Sequence, residues 1–252
     1  MHNLERLLAR NLDCSRAEAR RLIASEPGEL PSKVAPGSLP FSVEIGGSTV
    51  CLHDSYHLML NKPVGCVTAL SDPDHATVAA LVEEAPLFAE LRPVGRLDLD
   101  TTGLLVWTTD GTWLHHLTHP RSAIPRCYHA ALARPFQPLP SDLVLRDGHR
   151  PRVLDLRQQE EGEMHPSLVR SAQATTFASV TIAGGAYHEV RRIFAALGSH
   201  VLSLCRVSFG ALSLPAELAA GDWRPITKES VEPAKTTSAQ TAGRDHPRSG
   251  CR

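Results

Sequence analysis

Hydrophobic residues recur at helical spacing near the amino terminus and in short continuous runs further along the chain. Over residues 3–12 leucines repeat every three or four positions, which predicts an amphipathic helix. Ser15 and Glu18 are spaced as in a capping box, so a second helix is predicted from Arg16. Residues 26–49 are rich in Pro, Gly and Ser, and we expect loops and short strands there. These patterns predict a small first domain at residues 1–52.

The remaining patterns predict more strands than helices. Apolar runs bounded by turn residues predict strands at residues 56–61, 104–109, 128–132, 177–182 and 201–209. Helical spacing predicts helices at residues 77–84, 112–118 and 188–197. Because the helices are irregularly interspersed, we expect a mixed α+β sheet at residues 53–228. Residues 229–252 lack a hydrophobic period, and a disordered tail is predicted there.

Charge and cysteine content restrict the class of protein. The chain has 26 Lys and Arg against 27 Asp and Glu, so nucleic-acid binding would have to rest on local basic patches. No apolar run approaches the roughly 18 residues of a membrane span, and the polar amino terminus is unlike a signal peptide. The six cysteines form no CxxC pair, which argues against a zinc ribbon or a disulfide framework. We therefore expect a cytoplasmic protein with reduced thiols and no membrane partner.

The strongest candidate for chemistry is the stretch Arg92–Gly111, with the sequence RPVGRLDLDTTGLLVWTTDG. Asp98 and Asp100 lie in a loop that precedes a strongly apolar strand. A carboxylate at the rim of a buried strand is partly desolvated, so it needs a cation or several hydrogen-bond donors to stay ionised. Arg191 and Arg192 are candidate cations from a distant part of the chain.

The residues alone also allow two metal-dependent interpretations. Asp98–Thr102 fits the DxDxT signature of haloacid dehalogenase-like phosphatases, in which the first Asp is a nucleophile beside Mg²⁺. The preceding residues make a poor strand and no Asp-Asp pair follows, which disfavours that interpretation. His115 and His119 have the spacing of metal ligands on a helix, with His116 between them, but no Glu lies between them and Pro120 follows at once. We therefore assign no metal ligands.

Ordered motifs extend over residues 57–228. They are Leu60–Gly65, Ser71–Val78, Gly95–Gly111, Arg126–Tyr128, Gly185–Gly198 and Asp222–Thr227. In this order they resemble the pseudouridine synthases, and more narrowly the RsuA-like branch that modifies small-subunit (16S) ribosomal RNA. The first fifty residues resemble an S4-type RNA-binding module at Leu4–Ala9 and Ser15–Arg20. The sequence departs from that module at Ser25–Pro31.

The resemblance implies an α+β fold with a mixed, mainly antiparallel catalytic sheet and a small S4-like α+β domain. It implies cofactor-free isomerisation of a uridine to pseudouridine in ribosomal RNA. By motif position Asp98 carries the chemistry, and the sequence does not distinguish a nucleophile from a general base. Of the two arginines, only one should face Asp98, because neighbours on a helix point about 100° apart. We favour Arg191.

The resemblance also implies further contacts to a flipped-out base and to RNA. Tyr128 is expected to stack on the base and Leu105 to pack against its other side. The expected substrate-binding residues are Arg96, Tyr128, Leu105, Arg191 and Arg192. The expected RNA contacts are Arg6, Arg16, Arg20, Lys62, Arg121 and Arg126. We expect a monomer that binds ribosomal RNA in a small-subunit assembly intermediate, and a non-catalytic RNA-binding protein of the same fold is the alternative.

Overall fold

The computed structural model describes residues 1–232. The helices are α1 (Leu4–Asn11), α2 (Arg16–Ser25), α3 (Gly111–Thr118), α4 (Glu189–Ala196) and α5 (Lys228–Val231). The strands are β1 (His2–Asn3), β2 (Lys33–Val34), β3 (Phe41–Ile45), β4 (Ser48–Leu52), β5 (His57–Lys62), β6 (Cys66–Val67), β7 (Ala76–Thr77), β8 (Arg92–Pro93), β9 (Thr101–Thr108), β10 (Arg126–Leu132), β11 (Val153–Gln159), β12 (Thr176–Ile182), β13 (Val201–Phe209), β14 (Leu212–Ser213) and β15 (Trp223–Pro225). Among the described helices, none has the length and apolar character that crossing a membrane requires.

One large sheet organises the chain after residue 56. Its strand order is β11-β12-β10-β13-β9-β5-β15, with β8 paired to β9 and β14 paired to β13. Every pairing in this sheet is antiparallel except that between β9 and β13. The expected mixed, mainly antiparallel sheet is therefore confirmed. The five predicted strands are present as β5, β9, β10, β12 and β13.

The parallel contact between β9 and β13 depends on Gly103. This residue has φ +103° and lies opposite Arg206 in the register. A Cβ at position 103 would lie 2.8 Å from the Arg206 backbone nitrogen and closer still to its carbonyl oxygen. Only glycine therefore allows the two strands to approach this closely, because it adopts the positive φ without strain and has no Cβ to collide with Arg206.

Each face of the sheet is covered by one longer helix. Helix α4 contributes Val190, Ile193 and Phe194 to the core on one face. Helix α3 contributes Trp113 and Leu117 to the core on the other face. Because β9 is buried along its whole length, its apolar run is continuous rather than alternating.

Residues 1–52 form a separate small core. Helices α1 and α2 pack with the β3–β4 hairpin around buried residues such as Leu8 and Leu52. Arg10 at the end of α1 joins this module to the rest of the chain. Its guanidinium group donates to both oxygens of Glu90, at 2.7 and 2.8 Å, and to the Asp54 carboxylate at 3.0 Å. A bidentate pair of this kind fixes direction as well as distance.

The helix predicted at residues 77–84 is wrong. The structure has strand β7, paired in parallel with β6, followed by a single 3₁₀ turn at Ala79–Leu81. The Val78 N–H donates to the Val67 carbonyl at 3.0 Å, so the start of the segment continues the pairing of β7 with β6. Pro86 also restricts the residue before it and prevents a longer helix.

The predicted tail boundary at residue 229 also differs from the structure. Residues up to Val231 form the short helix α5, and the Val231 side chain is buried against the core of the second face. The tail predicted for residues 233–252 lies outside the described residues.

We expect Gly103→Ala to destabilise the fold by about 2–6 kcal/mol, because strained backbone and overpacking each cost about 1–3 kcal/mol. Gly65→Ala is the matched control, since Gly65 also has positive φ, +82°, but no atom lies within 4 Å of the point that an alanine Cβ would occupy. Urea unfolding of both variants measures the difference. Equal losses of stability would contradict the requirement for close strand approach.

Candidate active site

The loop that carries Asp98 is tied down along its length. The Leu97 N–H donates to the Thr68 hydroxyl at 3.1 Å, and that hydroxyl donates to the Leu97 carbonyl at 2.8 Å. The Gly65 N–H donates to the Leu99 carbonyl at 2.9 Å. The Thr101 N–H donates to the carbonyl of Asp98 itself at 3.1 Å and closes the turn. The position of Asp98 is therefore fixed by backbone contacts on both sides.

Lys62 makes the strongest attachment to this loop. Its side chain is fully buried, and its ammonium group donates to the carbonyls of Thr101 and Pro63, both at 2.9 Å, and of Leu99 at 3.4 Å. Burial lowers the pKa of the Lys62 ammonium, while the nearby Cys66, Asp100 and Asp98 act in the opposite direction. The expectation that Lys62 contacts RNA phosphate is wrong, because the group is enclosed by the loop.

Asp98 lies between two side chains of the α4 region. The His188 Nε2 atom is 3.5 Å from one carboxylate oxygen, and the Arg191 Nε atom is 3.8 Å from the other. Arg191 makes its direct hydrogen bond to Asp100, at 2.7 Å. The Asp98 side chain is 37% exposed. Arg191 thus contacts both aspartates. Its shorter contact is to Asp100, to which the sequence assigned no role in the synthase site.

The segment before α4 is held in an unusual conformation. His188 has φ +49°, a left-handed conformation that a non-glycine residue rarely adopts. The next residue, Glu189, is buried and accepts from the Ala186 N–H at 3.0 Å and pairs with His149 Nε2 at 2.7 Å. This carboxylate fills the space beside Gly184, where any Cβ would collide with it. These contacts fix the start of α4 and hence the direction of Arg191.

Asp98 opens onto a cleft of about 500 Å³. Tyr128 also lines it and is only 7% exposed. The apolar part of the wall is formed by Leu97, Ile182, Val190 and Leu204. Leu105 is not among the lining residues, because its side chain is completely enclosed in the core. The expectation that Leu105 touches the substrate is therefore wrong.

The cleft is strongly basic although the chain is nearly neutral. Among the residues that the structure describes, only two acidic ones line it, Asp98 and Glu189. Six arginines line it: Arg96, Arg126, Arg150, Arg152, Arg191 and Arg206. This is the local basic patch that the composition required for nucleic-acid binding. It combines cations with apolar walls and one aromatic ring, which suits a nucleotide.

Arg126 lines the cleft, and three of its five N–H donors are bound within the protein. Its guanidinium group donates to the carbonyl of Gly184, to that of Ile124 at 3.2 Å and to that of Leu117 at 3.4 Å. Burial lowers the pKa of Arg126, and the charge of Arg206 adds to this effect. The residue therefore shapes the wall of the cleft and adds charge to it.

Arg192 points away from Asp98. It pairs with Asp147 and donates to the Tyr187 carbonyl at 3.1 Å. The prediction that only one arginine of the pair faces Asp98 agrees with this geometry. The expected contact of Arg192 with the substrate is not supported, because its guanidinium group holds the loop before α4.

The remaining predicted RNA contacts lie on the surface. Arg6 and Arg16 are exposed and line one open groove on the first module. Arg20 is exposed but bound to Glu5 at 3.1 Å. Arg96 is exposed at the rim of the cleft, and Arg121 is exposed in the turn beside it. Their contact with RNA stays a prediction.

His116 in α3 and His119 just after it both contact neighbouring protein groups. The His116 Nε2 atom is 2.8 Å from Glu232, and His119 accepts from the Arg121 N–H at 3.1 Å. Among residues 1–232, no three His, Cys, Asp or Glu side chains are grouped as metal ligands would be.

Several cleft residues were missed by sequence reasoning. His188, His149 and Glu189 act through contacts between distant segments, and no periodicity marks such contacts. Arg150 and Arg152 lie in a stretch to which no element was assigned. Arg206 had one available signal, since it is the only charged residue in the apolar run of β13.

Three comparisons relate the chain to known proteins. The family described as RNA pseudouridylate synthase matches residues 56–196. The chain is 36% identical to ribosomal small subunit pseudouridine synthase A of Escherichia coli (strain K12), over 90% of this chain and 97% of that protein. It is 32% identical to the protein of the same name from Haemophilus influenzae, over 91% and 97%. A crystal structure of a pseudouridylate synthase is similar at 29% identity and a TM-score of 0.55, covering 92% of this chain and 99% of that one.

We expect Lys62→Met to lower the free energy of unfolding by about 2–4 kcal/mol, because three carbonyls lose their donor. The protein that remains folded should keep the salt dependence of its RNA affinity. Arg121→Met is the control on an exposed cation, with a stability change within about 0.5 kcal/mol. Urea unfolding and RNA binding at several salt concentrations measure both. If the RNA affinity of Lys62→Met depended less steeply on salt concentration than that of the wild type, and its stability were unchanged, the predicted contact of Lys62 with RNA phosphate would be correct after all.

Proposed function

Because the chain belongs to the RNA pseudouridylate synthase family, we propose that it converts one uridine of small-subunit ribosomal RNA to pseudouridine. The substrate is inferred from the names of relatives that align over nearly their whole length. The basic cleft supports an RNA substrate, because in the described part of this nearly neutral chain six arginines and only two acidic residues line it.

The observation that carries this proposal is the convergence of three side chains on one cleft. Asp98, Tyr128 and Arg191 come from a loop, a strand and a helix that are far apart in the chain. They are a carboxylate, an aromatic ring and a cation, which together suit nucleophilic or proton-transfer chemistry on a nucleotide.

The target uridine enters the cleft by leaving its RNA stack. Tyr128 offers a ring face for the flipped base, worth roughly 1–3 kcal/mol by substitution. The apolar wall around Leu204 and Val190 excludes water from the base. A volume of about 500 Å³ falls within the range of small-molecule sites.

Asp98 acts in its ionised form, either by attacking the C1′ carbon of the ribose or by removing the C2′ proton. Arg191 and His188 flank the carboxylate and orient it. Asp100 takes the direct hydrogen bond of Arg191 and so holds the cation in place. The role of Asp100 in this proposal is positioning, and no cofactor is assigned.

The phosphatase and the non-catalytic protein give different expectations for the same site. A phosphatase would need Asp100 as a second reacting group together with Mg²⁺, whereas here Asp100 is bound to Arg191. Membership of the synthase family removes the support for that interpretation. A non-catalytic RNA-binding protein would keep its affinity when Asp98 is replaced and would show no conversion at all.

We expect Asp98→Asn to lower the conversion of uridine by more than about 10³-fold while RNA binding persists, because the reacting carboxylate is lost. Asp100→Asn should lower it by about 10- to 100-fold through misplacement of Arg191. Unmodified small-subunit and large-subunit ribosomal RNA, free and in partial particles, are incubated with each protein. Pseudouridine is mapped by carbodiimide modification and primer extension.

The same assay is run with EDTA, and the wild-type activity should not change. A single new stop on small-subunit RNA supports the proposed substrate, and a stop only on large-subunit RNA would correct it. Binding without any stop would favour the non-catalytic alternative.

A further inference from the structure

Arg206 is a buried cation with no matching anion among residues 1–232. It lies in the middle of β13, its side chain is only 2% exposed, and it lines the cleft. In the sheet register it is the direct neighbour of Tyr128 on β10. Directly paired residues have Cβ atoms about 5 Å apart, so the stem of Arg206 lies beside the ring that would stack on the base.

The hydrogen bonds of Arg206 are incomplete. Its Nε atom donates to the Leu104 carbonyl at 2.8 Å. Its Nη2 atom is buried and has no hydrogen-bond partner within residues 1–232. Nor does any carboxylate of the described chain lie within salt-bridge distance of its guanidinium group, unlike Arg191, which binds Asp100.

A buried charge of this kind is unfavourable for folding. Removing a guanidinium group from water is unfavourable unless it is paired with an anion. The ring of Phe209, whose centroid is 5.4 Å from the Arg206 guanidinium carbon, offsets part of this cost by a cation–π contact. Arg126 approaches the same ring at 5.0 Å and adds like charge. Such groups are retained mostly at functional sites.

The proposed reaction creates an anion where such a cation is useful. When the N1–C1′ bond of uridine breaks, its electron pair leaves with N1 and the detached uracil carries one negative charge. This holds if Asp98 bonds to C1′, and equally if Asp98 takes the C2′ proton and leaves a neutral glycal. The C5 atom of uracil then bonds to C1′, as the Asp98–C1′ bond breaks or as Asp98 returns its proton to C2′. The proton on C5 is then lost and N1 takes one up, so that the product is neutral and Asp98 is again a carboxylate.

We propose that Arg206 is a catalytic residue that binds the carbonyl oxygens of the detached uracil and stabilises its negative charge. The proposal rests on the proposed function and adds to it the group that receives the leaving base. Its burial, its place in the lining of the cleft and its position beside Tyr128 carry the assignment. In a site that excludes water, one preorganised donor accounts for about 10²–10³-fold in rate.

The test compares two leaving groups in the wild type and in Arg206→Met. RNA is prepared with uridine or with 5-fluorouridine at the target, and loss of the N-glycoside is followed in single turnovers. Fluorine stabilises the detached base as an anion, so that base needs less help from the protein. We expect Arg206→Met to lower the rate on uridine about 10²-fold and the rate on 5-fluorouridine clearly less. The ratio of the 5-fluorouridine rate to the uridine rate should therefore rise.

Two further variants separate chemistry from structure. Arg206→Lys keeps the charge on a shorter side chain, so its ratio should lie between those of the wild type and Arg206→Met. Cys205→Ala removes a buried side chain from the same strand, within the core on the other face. It should lower the melting temperature and leave the ratio unchanged.

The outcomes distinguish this proposal from the proposed function. Wild-type conversion of the uridine substrate tests the function itself. If the wild type is active and both Arg206 variants keep its rate ratio, Arg206 is structural and the proposal fails. If Arg206→Met does not fold, the ratio of the 5-fluorouridine rate to the uridine rate is measured for Arg206→Lys. An unchanged ratio contradicts the proposal, and a raised ratio supports it. A raised ratio in a folded variant that still binds RNA supports the proposal.

Discussion

The buried ammonium group of Lys62 is the contact on which the geometry of the cleft depends. Lys62 is the last residue of strand β5, and its ammonium group donates to carbonyls on the Asp98 loop. If the loop moved away, a charge would remain inside the protein without acceptors, which is far more costly than a lost surface contact. Strand β9 follows this loop and pairs closely with β13 at Gly103. This pairing positions the side of the cleft that β13 forms. The position of the carboxylate is thus set by the centre of the sheet.

Much of the site could be predicted because its residues lie in ordered motifs. Asp98, Tyr128 and Arg191 come from three separate motifs, and the elements that carry them follow from apolar runs and helical spacing. Sequence could not show which cations are buried. Lys62 next to a proline looks like any surface lysine until β5 is placed between β9 and β15. Leu105 was misplaced for the same reason, because its strand is covered on both faces.

The other differences also arise from contacts between distant residues. The segment at 77–84 has helical spacing, but its first residues pair with β6. The net charge of −1 does not reveal that the cleft is basic, because the local charge depends on which arginines have acidic neighbours. Arginines elsewhere are matched by neighbours, as in the pairs of Arg157 with Asp155 and Arg170 with Glu161. In the cleft, such partners are scarce.

The clamp of Arg10 on Glu90 and Asp54 has a consequence for the shape of the RNA. It keeps the groove of Arg6 and Arg16 at one position relative to the loop of Asp98. An RNA that touches both surfaces at once must span that interval with its own folded form. If both surfaces bind RNA as proposed, the target uridine would be selected by its distance from a second feature of the folded RNA, in addition to its neighbouring sequence.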